Sequence, residues 1–474
     1  MFLNKFFKEI IFFISSLLLL ICSLLYIFFY NTSEASFQFL IELNWFESYY
    51  LLGIDSISIL FLFLTTFIMP LCLLFNWNLD KGLNEQFYFF FILLFLEILL
   101  ILVFLILELI FFYIVFEFLL IPFYFIIVLN NKQSFSRNLN IINKKMNAFF
   151  LLFFYTIFGS LLMLMGILII YINLGTTLIP IIWYAKLNLN LEYLLWCLFF
   201  VSFSVKIPIL PVHLWLPEAH VESPTEGSVI LAAILLKIGL YGLIRILIPC
   251  FQEATIYFSL VVWLLCIFSV IYTSMTACVQ VDIKRIIAYA SIGHMNICVL
   301  GLFSLDISSI LGSVILMFSH GLASAGLFFV IGILYQKFHT KNIKYYNGIV
   351  SVMPLISICF FLFIVSNFGM PGTLNFIGEF FIFTSFFKNS IFSIYVCIFA
   401  SILLCSFYSI YLYNHIVFGN NNRFFYYFVS DLNIIEFFIL IVLIVFIFLP
   451  GFYPFFICDW LKLDLHYYFY YYII

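Results

Sequence analysis

The chain has 474 residues, 66% of them hydrophobic and 9% charged, with a mean hydropathy of +1.24 and no polar half. A soluble domain carries about 25% charged residues, so this composition excludes both a water-soluble fold and a soluble enzyme on a single anchor. A formal net charge of −3, with the basic residues in short loops, gives no footprint for nucleic acid.

Taken in chain order, apolar runs of about 20 residues, enough to cross a bilayer, predict thirteen helices. They lie near 10–30, 50–75, 87–107, 109–129, 148–172, 191–222, 227–248, 255–277, 284–303, 307–335, 350–386, 390–418 and 434–455. The expected fold class is an all-α polytopic membrane protein. A β-barrel is excluded because runs such as 87–107 are apolar on every face instead of alternating. The opening run, preceded by Lys5 and Lys8, is too long for a signal peptide and has no small-residue cleavage site, so it reads as the first span.

Basic clusters support the count, because short loops rich in Lys and Arg gather on one side of a membrane. Lys132, Arg137, Lys144 and Lys145 follow the fourth span; Lys284 and Arg285 the eighth; Lys337, Lys341 and Lys344 the tenth; Arg423 the twelfth. All these junctions are even-numbered. The junction after the first span carries the acids Glu34, Glu42 and Glu47. In a mitochondrion the positive side is the matrix, and the C-terminus faces the intermembrane space. The 11 Cys are scattered without a CxxC, which argues against a zinc or iron–sulfur site. The 68 Phe point to nucleotide bias of the kind seen in organellar genomes.

Two spans are interrupted close to charges. VKIPILPVHLWLPEAH places Pro208, Pro211 and Pro217 where no straight helix survives. NFGMPGTLNFIGEF places Gly369, Pro371 and Gly372 shortly before Glu379. Broken helices at membrane depth are tolerated where protein or a hydrated cavity satisfies the freed backbone, and one in each half suggests an inverted internal repeat. The expected segments are N-terminal helices over 1–107, a first half over 108–248, a second over 255–418, and a C-terminal helix and tail over 434–474.

An ionisable group at the bilayer centre costs at least ~2.5–3.5 kcal/mol, so each needs a partner, water or a task. Those at this depth are Glu97, Glu108, Glu117, Lys206, Lys237, Arg245 and Glu379, with His213, His220, His294 and His320. Glu108 and Glu117, nine residues apart, face opposite sides of a continuous helix. Gly239 and Gly242 allow another backbone to approach Lys237, and a neighbouring helix to supply a carboxylate. The functional reading is a proton path in which Lys206 and Lys237 pass a proton toward Glu379 through histidines and water, with Glu117 tuning Lys206. A buried lysine holds its proton beside a carboxylate and releases it without one. The competing reading is a set of static ion pairs. His213 is balanced between relay and filling the helix break, His320 likewise, and His294 leans structural. Glu97 is either a lateral contact or a relay member, and Arg245 near a helix end is expected to snorkel to the headgroups.

The stretch FSVKIPILPVHLWLPEAHVESPTEGSVILAAILLKIGLYGLIR, 203–245, closely resembles the signature of the antiporter-like membrane subunits of proton-pumping NADH:quinone oxidoreductase, respiratory complex I. ELIFFYIVFEFLLIP (108–122), DIKRIIAYASIGHMN (282–296), HGLASAGLFFVIG (320–332) and PGTLNFIGEF (371–380) extend the likeness over most of the chain after residue 100. The resemblance implies that Glu117 is the channel glutamate, Lys206 its partner, Lys237 the central lysine and Glu379 the exit-side group, with His213, His294 and His320 on the hydrated axis. Two of the three paralogous subunits typically carry Lys at the Glu379 position, so the resemblance points to the third. It also implies fourteen helices with the glutamate on the fifth; here it falls on the fourth, so one N-terminal helix is expected to be missing, its place filled by a neighbouring subunit or lipid.

The same likeness implies no cofactor in this chain, with NADH, flavin, iron–sulfur clusters and ubiquinone in partner subunits. The implied partners are the other complex I membrane subunits, the paralogous antiporter-like ones included, and lipids such as cardiolipin. The implied location is the mitochondrial inner membrane, with the chain encoded in the mitochondrion. A cation/proton antiporter subunit of the Mrp type, and a membrane scaffold with fixed ion pairs, are the two alternative functions.

Overall fold

The computed structural model describes residues 2–34, 36–45, 48–77, 83–129, 139–388, 392–420 and 430–468. Glu47, Lys132, Arg137 and Arg423 lie outside the described residues, and so do the side chains of Lys5 and Lys8.

The chain forms two compact units. One comprises Met1–Trp215, Ile234–Val261 and Trp460–Ile474, the other Leu216–Ala233 and Val262–Asp459. The first begins with helix α1 (Phe2–Phe29), strands β1 (Gln38–Trp45) and β2 (Ser48–Ile54), and helices α2 (Ser56–Phe75), α3 (Leu83–Leu105), α4 (Leu109–Phe118) and α5 (Leu120–Leu129). Next come α6 (Leu139–Leu174), α7 (Ile179–Trp183) and α8 (Leu189–Lys206). Helix α9 (Trp215–Glu222) leads into a long span over Thr225–Cys250, made of α10 (Thr225–Ile230), α11 (Leu236–Gly242) and α12 (Ile248–Cys250) with π turns between them. Residues 225–233 of that span belong to the second unit and 234–250 to the first. Then follow α13 (Gln252–Val279), α14 (Ile283–Phe303), α15 (Ile307–Phe338), α16 (Pro354–Asn367), α17 (Leu374–Lys388), α18 (Phe392–Val417), α19 (Ile434–Phe452) and α20 (Phe455–Tyr468).

Among the described residues, eleven helices are long and apolar enough to cross a membrane, and three shorter apolar ones occupy 354–367, 374–387 and 402–417. Together they account for the predicted all-α polytopic class. Both expected interruptions are present: α8 ends at Lys206 and a helix resumes at Trp215, while α16 ends at Asn367 and α17 starts at Leu374. Gly369 (φ +69°) and Gly372 (φ +95°) turn the second break through conformations that glycine adopts freely.

Two local expectations are corrected and one is refined. The span placed at 50–75 starts at Ser56, because β2 pairs antiparallel with β1 over Ser48–Ile54. A capping box then starts the helix: Asp55 Oδ1 accepts from Ser58 N at 3.1 Å, and Ser58 Oγ accepts from Asp55 N at 2.8 Å. The run 109–129 is one membrane-length span, interrupted at Leu119 between α4 and α5. Pro122 clashes with the carbonyl four residues back, at Phe118, which is where α4 ends. Glu108 is not helical at all. It has extended backbone (φ −116°, ψ 133°) and bridges Leu178, so helical spacing does not relate it to Glu117; its carboxylate accepts from Thr177 Oγ1 at 2.9 Å.

Candidate functional site

In the first unit, two helix interruptions bring three of the singled-out residues into one region. Glu117 is the penultimate residue of α4 and Lys206 the last of α8. Lys206 is buried, with Nζ 4.1 Å from the centre of the Phe116 ring. The Glu117 carboxylate acts on it electrostatically, and Glu117 Oε1 is buried without a hydrogen bond. Trp215 Nε1 donates to the Val205 carbonyl at 2.9 Å, satisfying an acceptor freed where α8 stops. Lys206 also lines a cavity of about 10 Å³ with Leu119, Phe123, Thr156 and Trp215, close to the limit for one water molecule.

Lys237 lies fully buried on α11 between π turns at Leu231–Leu235 and Leu243–Leu247. Turns of this kind occur as single bulges, frequently at functional sites. The glycines beside it do admit a neighbour. A Cβ on Gly239 would lie 2.7 Å from Ile207 and 3.1 Å from the Lys206 Cβ, and one on Gly242 would overlap the Phe203 ring. The backbone they admit is that of α8, which carries Lys206. His213 is buried in the turns after the break.

The second unit assembles the others. His294 Nδ1 lies 3.4 Å from Glu379 Oε1, and His294 Nε2 lies 3.5 Å from Cys405 Sγ, itself 3.0 Å from the Tyr408 hydroxyl. The His294 and His320 rings are 5.3 Å apart. Asn375 Nδ2 donates to the Ser366 carbonyl at 2.8 Å, tying α17 to the end of α16 across the break. His294, Cys405 and Tyr408 line a cavity of about 20 Å³ with Thr273, Ser274 and Tyr289. His294, weighed toward a structural role in the sequence, is here the residue in contact with Glu379. Cys405 and Tyr408 were missed, since an isolated Cys or Tyr in an apolar run reads as packing.

Gly369 abuts the Glu379 carboxylate: an added Cβ would lie 2.5 Å from Oε2 at a residue whose φ is +69°. Gly369→Ala is therefore expected to displace Glu379 from His294 and to lower coupled proton transport severalfold, while native gels still recover the protein's assembly. Transport equal to the parent would show that the Glu379–His294 contact is dispensable.

Arg245, Lys284 and Lys341 are ties within the fold. Arg245 does not snorkel. It is 3% exposed and paired at 2.7 Å with Asp55, 0% exposed, with its guanidinium 4.5 Å from the centre of the Phe37 ring. A planar cation held between a carboxylate and aromatic faces has no need of headgroups. Lys284, counted among the loop charges, is buried and donates to the Ser223 carbonyl at 2.8 Å, while Lys341 donates to that of Val221 at 2.5 Å. Both satisfy carbonyls at the end of α9. His220 stacks on Phe328, ring centres 4.8 Å apart. Glu97 is wholly buried, and neither carboxyl oxygen has a hydrogen bond to any described residue.

Residues 106–405 match the family described as NADH:quinone oxidoreductase/Mrp antiporter, transmembrane. The chain is 44% identical over 372 residues to the NADH-ubiquinone oxidoreductase chain 4 of Acanthamoeba castellanii, covering 78% of this chain and 72% of that one. It is 42% identical over 430 residues to the Arabidopsis thaliana protein of the same name, covering 90% and 84%. Its fold is similar to a chain of respiratory complex I from Thermus thermophilus with bound NADH (TM-score 0.84, 22% identity, 98% of each chain). It is also similar to a chain of the Mrp complex from Dietzia sp. (TM-score 0.87, 15% identity, 98% of this chain and 93% of that one).

Proposed function

The chain belongs to the NADH:quinone oxidoreductase/Mrp antiporter family of membrane subunits, and on that footing we infer that it is a proton-translocating membrane subunit of respiratory NADH:ubiquinone oxidoreductase. The observation that carries the mechanism is the seat of Lys206 at a helix break, over the ring of Phe116, the residue before Glu117, and against the Lys237 helix. A lysine on an aromatic face, with a carboxylate near it and a water-sized cavity beside it, has what proton exchange requires: a group that charges and discharges, a partner that biases it, and a route to the next carrier. The Glu379–His294 pair with Cys405 and Tyr408 supplies a second exchange point. Glu117 tunes Lys206, Lys206 and Lys237 hold the proton in turn, and Glu379 releases it, with His213, His294 and His320 as intermediate carriers.

The driving energy comes from other subunits, which hold NADH, flavin, iron–sulfur clusters and ubiquinone. The partners are the other complex I membrane subunits, the paralogous antiporter-like ones among them, and membrane lipids such as cardiolipin. The site of action is the mitochondrial inner membrane. Both relatives are named NADH-ubiquinone oxidoreductase chain 4, and we take chain 4 to be the paralogue without Lys at the Glu379 position. The Mrp-type reading rests on fold likeness at 15% identity, a weaker footing than relatives above 40%.

A native gel of gently solubilised membranes, stained for NADH oxidation, tests the assignment. This chain is expected in a very large NADH-oxidising band. A small band without that activity would move the function to stand-alone cation/proton exchange.

A further inference from the structure

Helix α1 turns its few polar residues toward the bundle and its apolar ones outward, as a lipid-facing span does. Between residues 9 and 30 the buried positions are Glu9 (5% exposed), Ser16 (0%), Ser23 (4%) and Tyr30 (7%). Its apolar residues, Ile11, Leu18, Leu25 and Phe28 among them, face outward. The four buried positions are seven apart, two helical turns, so they form one stripe. From Glu9 to Tyr30 it runs roughly 32 Å, the thickness of a hydrocarbon core.

The helices against this stripe present polar groups of their own. Ser23 Oγ lies 2.8 Å from Thr66 Oγ1 of α2. At the far end the Tyr30 hydroxyl donates to Asp464 Oδ2 at 2.7 Å, which also accepts from Ser56 N at 2.8 Å. At the near end Asn76, which closes α2, is buried with neither amide atom hydrogen-bonded, and Gln86 of α3 is buried as well. Ring contacts of Phe13 with Trp77 (5.7 Å) and of Phe12 with Phe87 (5.3 Å) hold both at the Glu9 end.

Glu97 occupies the middle. It lies seven residues from both Phe90 and Phe104 on α3, so the three share a face. Phe90 meets Phe12 of α1 at 6.3 Å, and Phe104 stacks on Phe61 of α2 at 5.4 Å. That face is therefore turned to the seam between α1 and α2. Helices α1 and α3 run the same way, so seven residues on from Phe12 is residue 19, between Ser16 and Ser23. A carboxylate here, without a partner, costs several kcal/mol as an ion, and a well-packed apolar residue would hold the bundle better.

We propose that Glu9, Ser16, Glu97, Ser23, Thr66 and Tyr30 line a second proton-conducting file through the α1–α3 bundle, with Glu97 as its proton-binding site and water completing it. Glu97 takes one proton from water at one end and returns it to water at the other, so no bond other than O–H changes and no charge remains. The file is separate from the Glu117–Lys206–Lys237 route, and it rests on the reading that the chain works inside a proton-translocating assembly.

Two measurements on the intact complex test it. Radiolytic hydroxyl labelling with mass spectrometry is expected to oxidise the peptides around Ser16 and Glu97 at least tenfold faster than a dry core peptide such as that around Leu316. Labelling at the core rate would overturn the file whatever any variant does. In proteoliposomes, Glu97→Gln is expected to lower protons moved per NADH oxidised by a reproducible fraction, with NADH oxidation retained and Glu97→Asp restoring the ratio. Parental pumping by Glu97→Gln while Lys237→Met loses pumping would defeat this proposal alone. Parental pumping by both would defeat the function on which it rests.

Discussion

Replacing Lys237 or Lys206 with methionine is expected to reduce the proton transport carried by this subunit by about a hundredfold or more, the lower range for removing a positioned acid–base group, while the complex still assembles and its NADH site still reduces an artificial acceptor. Methionine suits the test because it keeps the length and flexibility of the side chain without the charge. Lys206 lies over Phe116 with Glu117 near, and Lys237 lies on α11, which Gly239 and Gly242 let pack against the end of α8. The two therefore act on one segment of the route, and losing either interrupts it. For the same reason the double variant is expected to be little worse than either single one, because members of one relay are not additive. Proton transport in inverted vesicles at matched NADH oxidation measures this, and full transport by either variant would remove the relay.

The second large effect concerns Arg245 and Asp55. Removing one member of a buried pair leaves the other charge uncompensated and costs about 3–5 kcal/mol, whereas replacing both with apolar groups of similar volume is often neutral. Arg245→Met is expected to deplete the assembled complex strongly. Asp55→Asn leaves an acceptor for Ser58 N and so tests the charge separately from the helix cap. A double change, Arg245→Met with Asp55→Asn, is expected to recover much of the loss. The amount of complex on native gels, and its midpoint of thermal dissociation, report the result. Equal stability of all three variants would mean the pair is not a principal tie in this unit.

Much of this architecture was legible because membrane segments leave coarse signals. Proline clusters at 208–217 and the Gly369–Pro371–Gly372 run marked both interrupted helices, since the backbone cannot pass them in α-form. Buried charges stood out against an apolar background and named Glu117, Lys206, Lys237 and Glu379. Other features had no such signal. Strand β2 reads SYYLLGI, apolar and continuous with the helix after Asp55, so only the cap separates them. The π turns on either side of Lys237 involve ordinary Leu, Ala, Ile and Arg residues. Arg245 looked like a snorkelling end residue because its partner is 190 residues away in sequence. Glu9, Ser16, Ser23 and Tyr30 were visible at sevenfold spacing, yet a stripe of polar residues is informative only once the helix is known to face inward with it.

In the proposed function these buried groups change protonation during turnover instead of holding fixed ion pairs. Infrared difference spectroscopy of the complex under NADH-driven turnover, with carbon-13 labelled glutamate and the variants Glu117→Gln and Glu379→Gln, tests it most directly. Carboxyl bands are expected that appear and decay with turnover, shift with the label, and disappear one at a time in the two variants. A turnover spectrum with no glutamate carboxyl change, in a complex that pumps normally, would contradict it and leave the charges as static ties between helices.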